Sequence, residues 1–78
     1  MTDTLDLHSF DPKDVKPLVE EYLEQCLQRR FRFIRIIHGK GTGVQKAIVR
    51  SVLDRCPYVE AYSDGSDWGS TAVTLNVK

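Results

Sequence analysis

The chain has 78 residues, 41% of them hydrophobic and 28% charged, which is the composition of one globular domain and excludes a disordered chain. Apolar runs too short for a membrane span and the lack of a signal peptide before Leu5 indicate a soluble, cytoplasmic protein. Two distant cysteines exclude a disulfide scaffold. We expect a single domain over residues 1–78, monomeric in the simplest case, with oligomers left open.

The formal net charge is zero, but the charges are unevenly distributed. Residues 1–28 carry seven acidic and two basic side chains, whereas residues 29–55 carry eight basic and one acidic. A basic middle segment of this kind is either a solvated surface or a face that binds phosphates. Charge alone does not separate these two interpretations.

In the first half of the chain, alternating polarity in residues 4–8 (TLDLH) predicts a short strand. Asp11 and Pro12 have the character of a helix N-cap and first position, although Pro17 leaves open whether that helix starts at Asp14 instead. An apolar stripe at helical spacing follows, and it consists of Val15, Leu18, Val19, Tyr22, Leu23, Cys26 and Leu27. Residues 31–37 then predict a central strand that is buried on both faces, with Phe31 and Phe33 in the core rather than available for stacking.

In the second half, a helix is predicted after the glycine-rich run at residues 39–43, with Val44, Ala47, Ile48 and Val52 turned inward. Thr42 and Gln45 have the spacing of a capping box. Two further strands are predicted at residues 58–62 and 71–77. The order β-α-β-α-β-β predicts an α/β fold of the two-layer α+β type, with a four-stranded mixed sheet and two helices on one face.

The strongest local feature is the run IIHGKGTG, in which a buried strand passes through glycines into a helix. Glycines let the backbone approach a ligand, and helix N-termini favour anions. Lys40 adds a positive charge, so we interpret Gly39, Lys40, Gly41, Thr42 and Gly43 as a phosphate-binding turn rather than a plain strand-to-helix turn. The glycine spacing matches neither a Walker A loop nor GxGxxG.

Asp6 and His8 share one face of the first strand, and a carboxylate can orient an imidazole for acid–base chemistry. His38 is the other histidine of the chain, and both follow predicted parallel strands, whose carboxyl ends commonly carry ligand sites. We therefore expect both imidazoles to face one open groove. A surface salt bridge is the alternative for Asp6 and His8.

Trp68, the one tryptophan of the chain, lies in a polar loop and is either a stacking platform for a base or a loop anchor. Among the basic residues near the glycine-rich run, we expect Arg32, Arg35 and Lys46 to contact phosphates.

Three motifs in order resemble the small MutS-related (Smr) domain over nearly the whole chain: LDLH at residues 5–8, HGKGTG at residues 38–43 and GSTAVTL at residues 69–75. Ser9 stands where the first motif of that family ends in glycine, and Ser66 and Asp67 stand where glycines are frequent. The resemblance implies a fold like the C-terminal domain of translation initiation factor 3. It also implies endonuclease activity on DNA or RNA, with Asp6, His8, His38, Gly39, Lys40 and Gly41 in the site.

The leading hypothesis is a nucleic-acid-binding endonuclease of low sequence specificity, with Asp6, His8, His38 and Lys40 as catalytic residues. One histidine would act as base and the other as acid, with Asp6 orienting His8. This route requires no cofactor, whereas hydrolysis of DNA would use water and could recruit a divalent metal. The alternative is a DNA-, RNA- or ribosome-binding module that does not cleave. An enzyme for a small phosphorylated substrate is a distant third hypothesis.

Overall fold

A computed structural model describes residues 2–39, 43–65 and 69–77. Four strands and two helices occur in the predicted order, and their bounds are β1 Thr4–Asp6, α1 Pro12–Gln28, β2 Phe33–Ile37, α2 Val44–Arg55, β3 Val59–Asp64 and β4 Ser70–Leu75. The predicted capping box at Thr42 falls outside the described residues, as does the predicted position of Trp68.

The sheet has the strand order β1-β2-β4-β3. β1 and β2 are parallel, and β4 runs antiparallel to both β2 and β3. The two helical crossovers, from β1 to β2 and from β2 to β3, step in the same direction across the sheet. Because crossovers between parallel strands are right-handed, both helices lie on one face. The predicted four-stranded mixed sheet with two helices is confirmed.

Helix α1 begins at Pro12 with Asp11 as its N-cap residue, and Pro17 lies inside the helix without ending it. This settles the start that the sequence left open. The predicted apolar stripe is confirmed, because Val15, Val19, Tyr22, Leu23 and Cys26 are buried and Leu18 and Leu27 pack against them. The stripe belongs to one core cluster with Leu7, which follows β1, and with the buried strand residues Ile34, Ile36, Val73 and Leu75.

Helix α2 buries only part of the predicted face: Val52 is buried and Ile48 packs against the core as predicted. Its buried residues are Val49, Val52 and Leu53, whereas Val44 and Ala47 are exposed. The apolar residues of this segment fit two overlapping helical stripes, and the contact with α1 selects the one through Val49 and Leu53. The prediction that Val44 and Ala47 face inward was therefore wrong.

The prediction for Phe33 was also wrong. Ile34 and Ile36 are buried beneath the helices, but the Phe33 side chain is 65% exposed because it projects from the other face of the sheet. Phe31, in contrast, packs against the core as expected. β2 is thus central in strand order while only one of its faces is covered by helices.

Within the described residues, no helix is both long enough and apolar enough to cross a bilayer.

Candidate nucleic-acid interface

The ends of β1 and β2 bring the two histidine-containing segments to one edge of the sheet. Asp6 pairs with Ile37, and the Leu7 amide donates to the Ile37 carbonyl at 2.7 Å, so the parallel pairing continues past β1. A methyl group built on Gly39 would lie 3.5 Å from Cβ of His8, which shows how closely the two segments approach. The prediction that they share one sheet edge is confirmed.

Asp6 and His8 form an exposed carboxylate–imidazole pair. Nδ1 of His8 lies 2.5 Å from Oδ1 of Asp6, which also accepts the His8 backbone amide at 3.0 Å. The hydrogen bond from the ring is the main cause of the lowered pKa of Asp6, followed by that backbone hydrogen bond. An ionised carboxylate only accepts hydrogen bonds, so Nδ1 carries the proton. Nε2 makes no hydrogen bond to the described residues, and the His8 side chain is 64% exposed.

His38 occupies the same edge, but its side chain points toward the helices. It is 5% exposed, its Nε2 lies 2.9 Å from Oγ1 of Thr71, and its Nδ1 lies 3.1 Å from the Gly39 carbonyl oxygen. A carbonyl cannot donate, so Nδ1 carries a proton, and when the ring is neutral Nε2 accepts from the Thr71 hydroxyl. The prediction that both imidazoles face one open groove was therefore wrong for His38, whose ring continues the buried row of Ile34 and Ile36.

The connection between β2 and α2 has a glycine in the left-handed conformation at each end of its described part. Gly39 has φ +83°, and Gly43, the N-cap residue of α2, has φ +87°. The backbone amides of His38 and Gly39 both donate to the Gly69 carbonyl, at 2.9 and 3.0 Å, so they hold the turn against β4. The first turn of α2 receives no side-chain cap, and the side chain of Gln45 donates instead to the Phe10 carbonyl at 2.5 Å. Lys40, Gly41 and Thr42 lie outside the described residues.

The basic residues near this edge differ in their partners. Lys46 contacts Asp64 at 3.0 Å, and Arg50 contacts the same carboxylate at 2.6 Å. Arg32 contacts Glu60 at 3.3 Å. Arg35 forms no ion pair within the described part of the chain, and it is half-buried among the residues of the sheet face opposite the helices.

Sequence reasoning missed Thr71 and Asp64, which hold His38 and Lys46. Their partners come from β4 and β3, and the register of those strands is a long-range property that local patterns do not encode. The inward direction of His38 did have a local signal, because it continues the alternation of Ile34 and Ile36. Among the residues described, no three histidine, cysteine, aspartate or glutamate side chains are grouped as they would be to hold a metal ion.

A small mixed sheet with two helices on one face, and a carboxylate–imidazole pair beside a glycine turn, defines a two-layer α+β domain with an exposed polar site. The profile of the Smr domain matches residues 5–76, so this chain belongs to the Smr domain family.

Relatives and solved structures agree with this assignment. Endonuclease MutS2 of Caldicellulosiruptor bescii is 33% identical over 92% of this chain, and Endonuclease MutS2 of Caldicellulosiruptor saccharolyticus is 42% identical over 73%. The matched regions are 10% and 7% of those proteins, so the chain spans about a tenth of their length or less.

Two crystal structures are similar to this chain. The Smr domain of Thermus thermophilus MutS2 superimposes with a TM-score of 0.87 at 28% identity, covering 95% of this chain and 98% of that one. YdaL, a stand-alone small MutS-related protein from Escherichia coli, superimposes with a TM-score of 0.81 at 28% identity, covering 97% of this chain and 65% of that one.

Proposed function

We propose that this domain binds nucleic acid and cleaves its phosphodiester backbone, with His8 as the proton-transfer group and Asp6 as the residue that orients it. The observation that carries the proposal is the exposed pair itself, in which Asp6 holds Nδ1 of a His8 side chain that is 64% exposed, and Nε2 makes no hydrogen bond to the described residues. Family membership supports it, because relatives that contain the same domain are named endonucleases.

The chemistry follows from the tautomer of His8. A neutral Nε2 accepts the proton of the attacking hydroxyl, the resulting oxygen attacks phosphorus, and the bond from phosphorus to the leaving 5′ oxygen breaks. On RNA the attacking group is the 2′-OH and the product is a cyclic phosphate. The leaving oxygen takes a proton from Lys40, which follows Gly39 in sequence, or from solvent. On DNA, water takes the place of the 2′-OH, and a divalent metal would assist that route.

His38 enters this proposal as a positioning residue. With both ring nitrogens engaged by Thr71 and by the Gly39 carbonyl, it fixes the direction in which the glycine turn leaves β2. Phosphate binding is assigned to the turn residues Gly39, Lys40, Gly41, Thr42 and Gly43 and to the basic residues Arg32, Arg35 and Lys46. Trp68 is assigned to the stacking of a base. To contact a phosphate, Arg32 and Lys46 would have to leave their ion pairs with Glu60 and Asp64. Arg35 has no ion pair among the described residues to leave.

Cleavage of single-stranded RNA and DNA, measured with and without EDTA, tests the proposal. His8→Ala is expected to reduce the cleavage rate about 10²- to 10⁴-fold, because a proton-transfer partner is lost. Asp6→Asn should reduce it less, since an amide still accepts a hydrogen bond. Asp3→Asn is the matched control, because Asp3 is exposed near the same strand and contacts Thr4 rather than His8. Full activity in His8→Ala would contradict the assignment.

Binding without cleavage is the second candidate function. The observation that favours it is the engagement of His38 and of the Gly39 amide within the fold, which leaves His8 as the one imidazole exposed among the described residues. The same substrates, assayed for binding as well as for cleavage, separate the two: binding with no turnover on either substrate, with or without EDTA, would establish the binding module.

A further inference from the structure

On the face of the sheet opposite the helices, β2 carries a row of large side chains. Ile34 and Ile36 are buried under the helices, so Phe33, Arg35 and Ile37 project to the open face. Phe33 is 65% exposed there, although burial of a phenylalanine side chain would stabilise the fold. Its exposure is a feature that the packing of this domain does not explain.

The strands on either side of this row present small side chains to the same face. Thr74 pairs with Phe33, and Ala72 on β4 and Thr4 on β1 both pair with Arg35. Farther out, β3 contributes Ala61 and Ser63. The Phe33 ring and the Arg35 guanidinium therefore border a flat surface with room for a planar group.

The charge of this face and its position suit nucleic acid. The Arg32 guanidinium, which is paired with Glu60, lies 5.5 Å from the Phe33 ring centroid, and Arg35 supplies a positive charge that no carboxylate of the described residues pairs. At the other end of the row Ile37 pairs with Asp6, which holds His8. Alternate residues of a strand stand about 6.6–6.8 Å apart, so Phe33 and the Asp6–His8 pair are separated by roughly 14 Å, within reach of a few nucleotides.

We infer that the open face of the sheet binds a single-stranded segment of nucleic acid, with one base stacked on Phe33 and the backbone passing Arg35 toward His8. The inference rests on the proposed function and adds the class of substrate. Stacking on a side chain requires an unpaired base, and aromatic platforms on sheets are a recurrent way of binding single strands. A protein partner would need a wider apolar surface than one phenylalanine among threonine, serine and alanine.

Fluorescence anisotropy with a labelled 2′-O-methyl oligo-uridine strand, and with a blunt hairpin duplex of equal length, tests the inference. The methyl group blocks the 2′ oxygen, so binding is measured without transphosphorylation. Phe33→Ala is expected to weaken single-strand binding roughly 5- to 150-fold and to leave its salt dependence unchanged, because stacking releases no counterions. Phe33→Tyr should restore affinity. Arg35→Gln should instead lower the slope of log affinity against log salt by about 0.7.

Tyr58→Ala is the matched control, because Tyr58 is 54% exposed but borders the groove between α1 and α2 on the helix side. It should bind the single strand like the parent chain. Parent-like single-strand affinity in Phe33→Ala, or an equal loss on the hairpin, would overturn the inference while leaving nucleic-acid binding intact. Failure of the parent chain to bind either probe would overturn the proposed function itself. Thermal unfolding checks that Phe33→Ala stays folded.

Discussion

The imidazole of His38 lies where β2, the glycine turn and β4 meet, and it is hydrogen-bonded to Gly39 of the turn and to Thr71 of β4. Thr71 is fully buried, and its hydroxyl is the described partner of Nε2. A buried polar atom without a partner destabilises a fold by about 1–3 kcal/mol, whereas a satisfied one contributes modestly. The hydrogen bond between His38 and Thr71 therefore affects the stability of the fold mainly because its loss would leave a buried ring nitrogen without a partner.

Thr71→Val keeps the shape of the side chain and removes the donor, so Nε2 of His38 is left buried without a partner. We expect the free energy of unfolding, measured by urea denaturation, to fall by about 1–3 kcal/mol. Thr71→Ser retains the hydroxyl and loses one methyl group, which should cost about 1 kcal/mol. A valine variant as stable as the parent chain would contradict the described hydrogen bond.

The two glycines with positive φ offer a comparison at single residues. Gly39→Ala and Gly43→Ala should each lower the free energy of unfolding by about 1–2 kcal/mol, because both force a side chain into the left-handed region. A methyl group at Gly39 meets Cβ of His8 at 3.5 Å, whereas one at Gly43 meets nothing within 4 Å. Only Gly39→Ala should shift the NMR signals of the His8 ring. Equal shifts in both variants would contradict the close approach of turn and strand.

At the scale of elements, an ion cluster joins α2 to the edge strand β3. Asp64 accepts from Lys46 and Arg50, and the Arg50 guanidinium lies 5.1 Å from the Tyr62 ring centroid. Tyr62 in turn donates to Asp54 at 2.6 Å. These contacts align the outer face of α2 with β3, but they also neutralise Lys46, which the sequence analysis expected to contact phosphates.

The cluster predicts a pH dependence of stability in acid. The hydrogen bond from Lys46 is the main cause of the lowered pKa of Asp64, whose ordinary value is 3.8. A carboxyl whose pKa falls on folding stabilises the fold above its unfolded pKa, and this is lost as the pH drops through the lower folded value. The difference in unfolding free energy between the parent chain and Asp64→Asn should thus be constant near neutral pH and shrink below about pH 4. A difference unchanged down to pH 3 would contradict this account.

The elements also show where prediction from sequence succeeded and where it failed. Periodicity identified each helix and strand that the described residues form. It also identified the inward face of α1, because its seven apolar residues fit one stripe. It failed on α2, where Val44 and Ala47 fit a competing stripe, and on Phe33, because apolar residues on both faces of a strand do not reveal which face the helices leave open. The shared edge of the two histidines followed from strand order, whereas the partners of His38 depended on the register of β4.

At the scale of the whole molecule, one cluster of buried residues links both helices to the sheet, and Cys26 lies fully buried within it. Burial is the main cause of the raised pKa of the Cys26 thiol. Cys56 lies at the end of α2 and is only half-buried. Neither thiol is in a disulfide, so the reactivity of each one measures how far the fold has to open to expose it.

Thiol-specific alkylation should therefore distinguish local from global opening. The thiolate is the reactive species, and Cys26 combines burial with a pKa that disfavours it, so Cys26 should react only when the core opens. Cys56 should be modified under native conditions. Because Cys26 belongs to the core shared by both helices, its alkylation rate should rise in urea in parallel with global unfolding. Val49→Ala removes core volume from α2 rather than α1 and should also accelerate the alkylation of Cys26. Mass spectrometry of quenched samples resolves the two sites. Equal native rates, or a Cys26 rate indifferent to Val49→Ala, would contradict the opening of this core as one cooperative unit.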